Sequence, residues 1–512
     1  MTLRSLAAAA ALVAAPAFAQ DAAPPPPADW HLLGDDAGVV GIDLDGAYAL
    51  LGDREPEAVV VAIIDSGVDV THPDIAPALW TNEGEVAGNG VDDDGNGYVD
   101  DVHGWSFLGN ADGRNVEHDS YELARLVRLC RDGTPDPAYA DCEALEAELE
   151  EERAPLAAQA AQIGQILGQA RDAEALLRDR FGDAFDAEDP TALDVGDDAE
   201  AVRAQGLLGF LAAQGATLAD VEAADEQISS MLQYGYNPDY DPRAIVGDDY
   251  ADVSERYYGN TDVAGPDPNH GTGVAGLVGA VRGNDMGIDG IAPARIMVLR
   301  AVPGGDERDK DVANAIRYAA DNGAQIINMS FGKGFSPQKQ AVDEAVAYAV
   351  EKGVLLVHAA GNSSEDIDVA DNFPTRTFLD GTVSEGWLEV GASGPDAKAL
   401  AASFSNYGQT AVDVFAPGAQ VTSLKPGGGI QTANGTSFAS PVVAGVAALV
   451  MAYFPDLTAE EVRQIVLDSA TRFDDEVARP GDGEAVPFGT LSATGGVVDA
   501  AEAVRLAMER SM

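Results

Sequence analysis

The sequence predicts an α/β protein in which helices cover both faces of a mostly parallel β-sheet and a large α-helical insertion interrupts the chain. Short apolar runs alternate with amphipathic stretches over residues 30–109 and again over residues 269–512, as in chains whose strands and helices alternate. Residues 110–268 differ, because they are rich in Ala, Glu, Asp, Gln and Leu, and most of these residue types favour helices. We therefore predict one sheet-based domain in two parts, with a helical insertion between them.

The predicted strands are short runs that are apolar on both faces. Central strands of a parallel sheet have this composition, because helices cover them on both sides. The runs are Val59–Ile64, Ile296–Leu299, Ile326–Met329, Val354–His358, Trp387–Val390 and Val412–Phe415. The predicted helices have apolar residues at helical spacing and are Val312–Asn322, Gln338–Lys352, Thr436–Phe454 and Thr458–Ala470.

The insertion is predicted to fold around a narrow apolar stripe. Its members recur at helical spacing: Ile163, Ile166, Leu167, Ala170, Leu177 and Phe181. Pro155 and Pro190 are expected to interrupt this helix, because proline lacks the amide hydrogen that a helix uses. The two cysteines, Cys130 and Cys142, are predicted to form a disulfide in an oxidising compartment. Two buried thiols are the alternative.

The charge of the chain restricts its partners. It has 30 Lys and Arg residues against 86 Asp and Glu residues, and so a formal net charge of −56 at pH 7. Because such an acidic surface repels phosphate groups and anionic lipid headgroups, the composition argues against binding to nucleic acid or to a membrane surface. Hydrophobic residues make up 46% of the chain, enough to bury a sizeable core, which argues against disorder.

The first nineteen residues have the features of a secretory signal peptide. Arg4 gives a positive start, Leu6–Phe18 is an Ala-rich apolar run, and Ala17-Phe18-Ala19 is a cleavage pattern. Residues 20–29 form a proline-rich leader. The apolar run is shorter than the roughly 20 residues that a membrane helix needs, and no later run reaches that length. We expect an exported protein, periplasmic or extracellular, without a membrane span.

Three reactive side chains lie at predicted element boundaries. Asp65 follows the first predicted strand, at the edge of the sheet where α/β proteins place their sites. His270 begins a helix of small residues, and Ser437 begins the helix that runs to Phe454. Taken singly, each also has an ordinary structural interpretation, namely a turn-capping carboxylate, a surface histidine and a helix-capping serine.

Together these residues stand in the order Asp, His, Ser, which is one known order of the catalytic triad. The segments around them resemble the signature segments of the subtilisin-like serine peptidases, or subtilases, and so does a fourth segment. The four are Asp65-Ser66-Gly67, His270-Gly271-Thr272, Ala359-Ala360-Gly361-Asn362 and Gly435-Thr436-Ser437-x-Ala439-x-Pro441. The resemblance implies a subtilisin-like fold and the activity of a serine endopeptidase that works through an acyl-enzyme.

The resemblance also assigns roles to individual residues. Asp65 would orient His270, and His270 would accept the proton of Ser437 when the serine attacks. The side chain of Asn362 would donate a hydrogen bond to the oxyanion, together with the backbone of Ser437. An extended substrate would pair with the backbone beside the site, and the substrate-binding positions are Ser330, Gly332, Ala360 and Gly361.

The sequence departs from the common subtilase pattern at two positions. Gly273 stands where many relatives have a second histidine, and Phe438 stands where methionine is commonest. Neither change removes a catalytic group. Only 45 residues separate Ala19 from Asp65, which leaves no room for the usual N-terminal propeptide, so we expect folding and latency to be managed in another way.

An acidic loop predicts a structural calcium site. Oxygen ligands alternate along the segment from residue 92 to residue 100, and its glycine allows the turn that brings hard ligands together. The predicted ligands are Asp92, Asp94, Asn96, the carbonyl of Tyr98, and Asp100. The twelfth position is His103 rather than Glu, so the loop is not an EF-hand. An acidic surface turn is the alternative.

We therefore expect an exported serine endopeptidase that acts on protein or peptide substrates. Two alternatives stay open. One is a catalytically silent subtilase fold that binds protein through its cleft. The other is a processing protease with a narrow range of substrates, docked on a partner by its helical insertion.

Overall fold

The computed structural model describes residues 26–34 and 37–512. The predicted signal peptide, residues 1–19, lies outside the described residues, as does most of the proline-rich leader. The described chain forms two compact units. One comprises Leu123–Tyr240, and the other comprises the described residues up to Glu122 together with Asp241–Met512.

The larger unit contains all the strands of the described residues. In chain order they are β1 (Val59–Asp65), β2 (Gly104–Ser106), β3 (Ala294–Arg300), β4 (Ile326–Met329), β5 (Leu355–Ala359), β6 (Trp387–Ser393), β7 (Val414–Pro417), β8 (Val421–Lys425), β9 (Gly429–Ala433), β10 (Thr471–Arg472), β11 (Glu476–Ala478), β12 (Ala485–Pro487) and β13 (Gly496–Val497). Nine of them form one sheet in the order β10-β13-β7-β6-β5-β4-β1-β3-β2, while β8 pairs with β9 and β11 with β12. Neighbours in the large sheet are parallel, except for the antiparallel pair β10 and β13.

The helices lie along the chain as α1 (Leu44–Leu51), α2 (Glu122–Arg131), α3 (Cys142–Phe181), α4 (Ala199–Ala213), α5 (Leu218–Ser230), α6 (Asn269–Gly279), α7 (Asp309–Asp321), α8 (Lys339–Glu351), α9 (Thr436–Tyr453), α10 (Ala459–Asp468) and α11 (Ala500–Arg510). Apolar residues of α1, α6, α9, α10 and α11 share one hydrophobic core with the sheet, and those of α7 and α8 share a second. The sheet therefore carries helices on both faces, which confirms the predicted fold class.

Strand β1 shows why the predicted strands are apolar throughout. Successive side chains of a strand point to opposite faces. Val61 and Ile63 accordingly enter the core that contains α6 and α9, while Ala62 and Ile64 enter the core that contains α7 and α8. All six predicted strands and all four predicted helices are present in the structure, with bounds within three residues of those expected.

Helix α9 lies at the centre of the larger unit and carries Ser437 in its first turn. It packs against strands β4 to β7, and its small Ala, Val and Gly residues allow close contact. Within the described part of the chain it is the one helix that is long and apolar enough to cross a membrane, and 89% of that stretch is buried inside the fold.

The smaller unit is helical and has a core of its own. Helix α3 packs against α4 and α5, and the predicted stripe lies in this core, fully or partly buried. The predicted disulfide is present between Cys130 and Cys142, with 5.6 Å between their Cα atoms. Helix α3 continues through Pro155, so the interruption expected there is absent. Pro155 and Glu151 are exposed, so water can satisfy the carbonyl that loses its amide partner.

The helical unit is shorter than the insertion inferred from composition. Residues 110–122 and 241–268 belong to the larger unit. Arg243 is buried there and donates to Asp248 and Asp311 with N···O distances of 2.6–2.9 Å, and Tyr258 lies in the core beside α7. These polar segments are held by charge pairs with residues distant in the chain, which a composition change does not reveal.

Candidate active site

The candidate site lies where three neighbouring strands end. Asp65 is the last residue of β1, Ser330 follows β4, and Ala359 is the last residue of β5. These strands are adjacent and parallel, so their carboxyl ends meet at one edge, which is where α/β sheets place their sites. Helices α6 and α9 bring His270 and Ser437 to the same edge.

The carboxylate of Asp65 and the imidazole of His270 form a direct hydrogen bond. The Nδ1 atom of His270 lies 2.7 Å from Asp65 Oδ1, which also accepts from the Ser66 amide at 2.7 Å. A carboxylate can only accept, so the proton of the neutral imidazole is on Nδ1 and the lone pair is on Nε2. The Asp65 side chain is 2% exposed and that of His270 is 39% exposed. The buried carboxylate thus orients the imidazole, and part of the ring is accessible to solvent.

Local packing explains why small residues surround this pair. A side chain at Gly271 would place its Cβ 2.2 Å from the Gly67 carbonyl oxygen and 3.1 Å from Asp65 Oδ1. Only glycine therefore lets the first turn of α6 approach the end of β1 so closely. The next residue, Thr272, accepts a hydrogen bond from the Asp69 amide at 2.8 Å, which fixes the helix to the chain that follows β1.

Two effects of opposite sign act on the pKa of His270. Burial lowers it, because desolvation penalises the charged imidazolium. The charge of Asp65 and the hydrogen bond to its carboxylate raise it, and the net result is a pKa above the ordinary 6.5. His270 is therefore a stronger base than a free histidine, and its protonated form is stabilised.

Ser437 occupies the first turn of α9, which is preceded by Gly435 at φ 149°. In the described structure its hydroxyl donates to the Ser330 carbonyl at 3.1 Å and makes no hydrogen bond to His270. Bonds of this kind are often long or misaligned without substrate. The ring of Phe438 contacts that of His270 edge-on, with centroids 5.7 Å apart, so the residue after the serine packs against the histidine.

A buried polar network holds the backbone beneath Ser437. The hydroxyl of Ser330 donates to the Ser437 carbonyl at 2.9 Å and lies 2.9 Å from the hydroxyl of Ser440. The Asn328 amide in turn donates to Ser330 at 2.9 Å. The end of β4 and the start of α9 are thus joined by a chain of hydrogen bonds, which fixes the position of the serine.

The side chain of Asn362 is oriented by Thr436. Asn362 Oδ1 accepts from the Thr436 amide at 2.8 Å and from its hydroxyl at 3.1 Å. Because a backbone amide can only donate, the oxygen of Asn362 must face Thr436 and its NH₂ group must face away. The NH₂ group is a donor beside the start of α9, where free amides and the helix dipole already favour negative charge.

The four predicted substrate-binding residues differ in whether their backbone amides and carbonyls are already hydrogen-bonded within the protein. The amide and carbonyl of Ala360, and those of Gly361, already bond within the protein. The Ser330 carbonyl accepts from Ser437. Gly332 is exposed, and among the described residues no partner occupies its backbone groups. It is the residue of this set that can pair with an extended substrate.

The acidic loop brings together some of the predicted metal ligands and adds another. Oxygen atoms of Glu85, Asp92 and Asp94 lie within 4.8 Å of one another, which suits a hard cation. Asn96 joins the cluster by donating to Asp94 at 3.2 Å. The carboxylate of Asp100 instead accepts from the amides of residues 89 and 90. Tyr98 is buried among aromatic rings.

Sequence reasoning missed Thr436, Phe438 and Glu85 as contributors to these sites. Thr436 directly precedes Ser437 in the serine motif, so the sequence could have indicated that its hydroxyl contributes to the site. Phe438 was noted only as a departure from the family. Glu85 lies outside the alternating pattern of the loop, so nothing local points to it.

Comparison with known proteins shows the family of this chain. Residues 57–489 match the model of the subtilase family, peptidase S8. A thermophilic serine proteinase of Bacillus sp. strain AK1 is 40% identical over 215 residues, which are 42% of this chain and 48% of that proteinase. Subtilisin DY of Bacillus licheniformis is 38% identical over 223 residues, 42% of this chain and 74% of the subtilisin. The chain thus spans about half the length of the first relative.

A solved structure of a protease from Pseudoalteromonas arctica PAMC 21717 covers 94% of this chain and all of that protease, with 20% identity and a TM-score of 0.48. The family match extends over most of the chain. The chain belongs to the subtilase family.

Proposed function

We propose that this protein is an exported serine endopeptidase that cleaves protein or peptide substrates through an acyl-enzyme. The observation that carries the proposal is the 2.7 Å hydrogen bond between His270 Nδ1 and Asp65 Oδ1. It leaves the Nε2 lone pair of His270 as the base, at the edge of the sheet where α9 begins with Ser437. The orientation of Asn362 adds a donor for the negative charge that the reaction develops.

The reaction follows from these positions. Ser437 Oγ forms a bond to the carbonyl carbon of the substrate while its proton passes to His270 Nε2. The carbonyl oxygen becomes an oxyanion, which the Asn362 NH₂ group and the Ser437 amide stabilise. His270 then gives the proton to the departing amine, the C–N bond breaks, and an ester to Ser437 remains. Water hydrolyses this ester by the same steps and restores the serine.

The substrate is held in extended form by its backbone. The exposed backbone groups of Gly332, in the segment that follows β4, can form hydrogen bonds with the main chain of an extended peptide. Because this pairing involves the main chain of the substrate and not its side chains, it allows many substrate sequences. Selectivity must then come from side chains around the cleft.

A structural calcium ion in the acidic loop is part of the proposal. Its support is the cluster of Glu85, Asp92 and Asp94 oxygens within 4.8 Å, since carboxylates are the ligands that calcium prefers. The ion would offset the mutual repulsion of these carboxylates and hold the loop. It takes no part in the chemistry at Ser437.

Export is supported by the signal-like residues 1–19 and by the disulfide between Cys130 and Cys142. Disulfides persist in oxidising compartments and are rare in the cytosol.

A fluorophosphonate probe tests the proposal directly. It should label the wild-type protein and the variant Ser403→Ala, in which an exposed serine is removed, but not Ser437→Ala. Hydrolysis of a chromogenic peptide should follow the same pattern. Absence of both labelling and hydrolysis in folded wild-type protein would instead support a catalytically silent binding module. Broad degradation of casein would exclude a processing protease with a narrow range of substrates.

A further inference from the structure

A buried lysine, Lys333, follows the exposed Gly332 in the chain after β4. Its side chain is 1% exposed, and its Nζ atom donates to Glu122 Oε2 at 2.8 Å and to the Glu307 carbonyl at 2.9 Å. A third contact joins Nζ to Asp309 Oδ1 at 2.9 Å. An ammonium group has three donors, so these three oxygens can accept all of them.

The two carboxylates that contact Lys333 belong to two different helices. Glu122 is the first residue of α2, and Asp309 is the first residue of α7. Their side chains are each 3% exposed. Breaking a buried ion pair is costly, because it leaves a charge without a partner away from water. The charge pairing therefore fixes the side chain of Lys333 relative to the starts of both helices.

The backbone of Lys333 is fixed as well. Its amide donates to the Phe373 carbonyl at 3.0 Å, and its carbonyl accepts from the Phe373 amide at 2.8 Å, as in an antiparallel pair. In such a pair, a residue that exchanges both bonds with its partner alternates with residues whose backbone groups point the other way. Gly332, directly before Lys333, therefore turns its amide and carbonyl away from Phe373.

Gly332 lies close enough to the candidate nucleophile to contact a bound substrate. The Ser330 carbonyl accepts from the Ser437 hydroxyl at 3.1 Å, and Gly332 is two residues further along the chain. Since even an extended chain advances only about 3.3–3.6 Å per residue, Gly332 lies within roughly 7 Å of Ser330. A substrate that extends two or three residues beyond the reacting carbonyl can therefore reach it.

We propose that Lys333 is a positioning residue for substrate binding, which holds Gly332 with its backbone groups turned toward the acyl side of an extended substrate. It acts through Gly332 and does not itself contact the reacting atoms. Glu122 is the last residue before the helical unit, so the same contacts join the substrate-binding segment to the chain that leads into that unit. The inference rests on the proposed function and adds a residue that controls the binding of long substrates.

Two substrates that differ only in length, acetyl-Ala p-nitroanilide and acetyl-Ala-Ala-Ala-Ala p-nitroanilide, test the proposal. In the wild-type protein kcat/KM should be higher for the long substrate by roughly tenfold or more, because each hydrogen bond changes binding by roughly 2–10-fold. Lys333→Met should lower this long-to-short ratio by roughly 3–10-fold. Glu122→Ala, which leaves Asp309 as the counterion of Lys333, should lower it less. Lys352→Met, which removes an exposed lysine just after α8, should keep the wild-type ratio.

A merely structural role of Lys333 would instead reduce kcat/KM for both substrates, and the rate of fluorophosphonate labelling, to the same extent. A Lys333→Met protein that folds, as judged by its melting transition, and keeps the wild-type ratio overturns the proposal. If Lys333→Met does not fold, a wild-type ratio in Glu122→Ala overturns it. Wild-type protein that is neither labelled nor active removes the proposed function as well. Labelled wild-type protein without a preference for the long substrate removes the role of Lys333 alone.

Discussion

The imidazole of His270 is partly exposed to solvent, whereas the carboxylate of Asp65 that it contacts is buried. The exposed fraction of the His270 side chain is 39%, while that of Asp65 is 2%. The interaction with Asp65 raises the pKa of His270 and outweighs the opposite effect of burial on the imidazole. In the proposed mechanism His270 takes part in both its neutral and its protonated form, so we expect this balance to determine the pH range of activity.

Hydrolysis of a small chromogenic peptide should fall as the pH decreases through a value above 6.5. Only the neutral imidazole can accept the Ser437 proton, and a raised pKa keeps His270 protonated to higher pH than a free histidine. The measurement is kcat/KM between pH 5 and 9, which reports the free enzyme, with Ser437→Ala as the blank. A flat profile, or a midpoint below 6.5, contradicts the assignment of His270 as the base.

Replacing Asn362 by alanine should lower kcat by roughly 10²–10³-fold with little change in KM, a magnitude taken from an oxyanion donor of subtilisin, a relative. The reason is that the oxyanion exists only after Ser437 has attacked, so the lost hydrogen bond costs little while substrate is merely bound. Steady-state kinetics on one peptide substrate separate the two parameters. Asn322→Ala is the control. A loss that occurs mainly in KM would assign Asn362 to substrate binding.

At the scale of single elements, the acidic loop is held by hydrogen bonds that its own carboxylates accept from backbone amides. Asp92 accepts from the amides of residues 95, 96 and 97, and Glu85 accepts from those of residues 93, 94 and 100. Oxygen atoms of these two carboxylates and of Asp94 lie within 4.8 Å of one another. A cation among them would remove their repulsion.

Calcium should raise the melting temperature of the protein through this loop. A ligand that binds only the native state adds about 2.7 kcal/mol to the free energy of unfolding at a hundredfold excess over Kd. The calcium-dependent shift should be present in the wild type and in Asp53→Asn, and reduced in Asp92→Asn and Asp94→Asn. Ionic strength must be matched, because with a net charge of −56 any salt stabilises by screening. Equal melting temperatures with calcium and with EDTA exclude the site.

At the scale of the whole molecule, one buried arginine joins the two chain segments that lead into and out of the helical unit. Arg308 donates to Asp119 at 2.7 and 3.0 Å and to Asp241 at 2.9 Å. Asp119 precedes the helical unit and Asp241 follows it directly. The larger unit therefore holds the two ends together by contacts of its own.

Replacing residues 123–240 by a short Gly/Ser linker should leave hydrolysis of small chromogenic peptides within about tenfold of the wild-type rate, since excision is tolerated where the remaining backbone keeps its contacts. The helical unit has its own core and its own disulfide, while Asp65, His270 and Ser437 belong to the larger unit. Selection among protein substrates should change. The assays are a chromogenic peptide and a panel of folded proteins. Loss of folding, or of small-peptide hydrolysis, would make the helical unit part of the catalytic core.

The sequence by itself predicted six of the nine strands in the large sheet and the segments around Asp65, His270 and Ser437. Strands such as β1 are apolar on both faces because both faces are buried, so their composition records their position. The motifs around Asp65, His270 and Ser437 are equally local, since each sets the first turn or last residue of its own element. A local sequence pattern is enough to predict an element when the burial and the turn geometry of that element alone restrict its residues.

Only the tertiary structure decided which residues from distant parts of the chain are in contact. Glu85 joins the Asp92 cluster from outside the alternating pattern, and Asn372 donates to the carbonyls of Ala359 and Ala360 from a loop without a motif. The ends of the helical unit are likewise set by Arg243 and Arg308, whose partners include residues more than 60 positions away along the chain. Such contacts arise from the packing of elements that are distant in sequence. The pattern around any one residue does not record them, because it reflects burial and local geometry and not the identity of a distant partner.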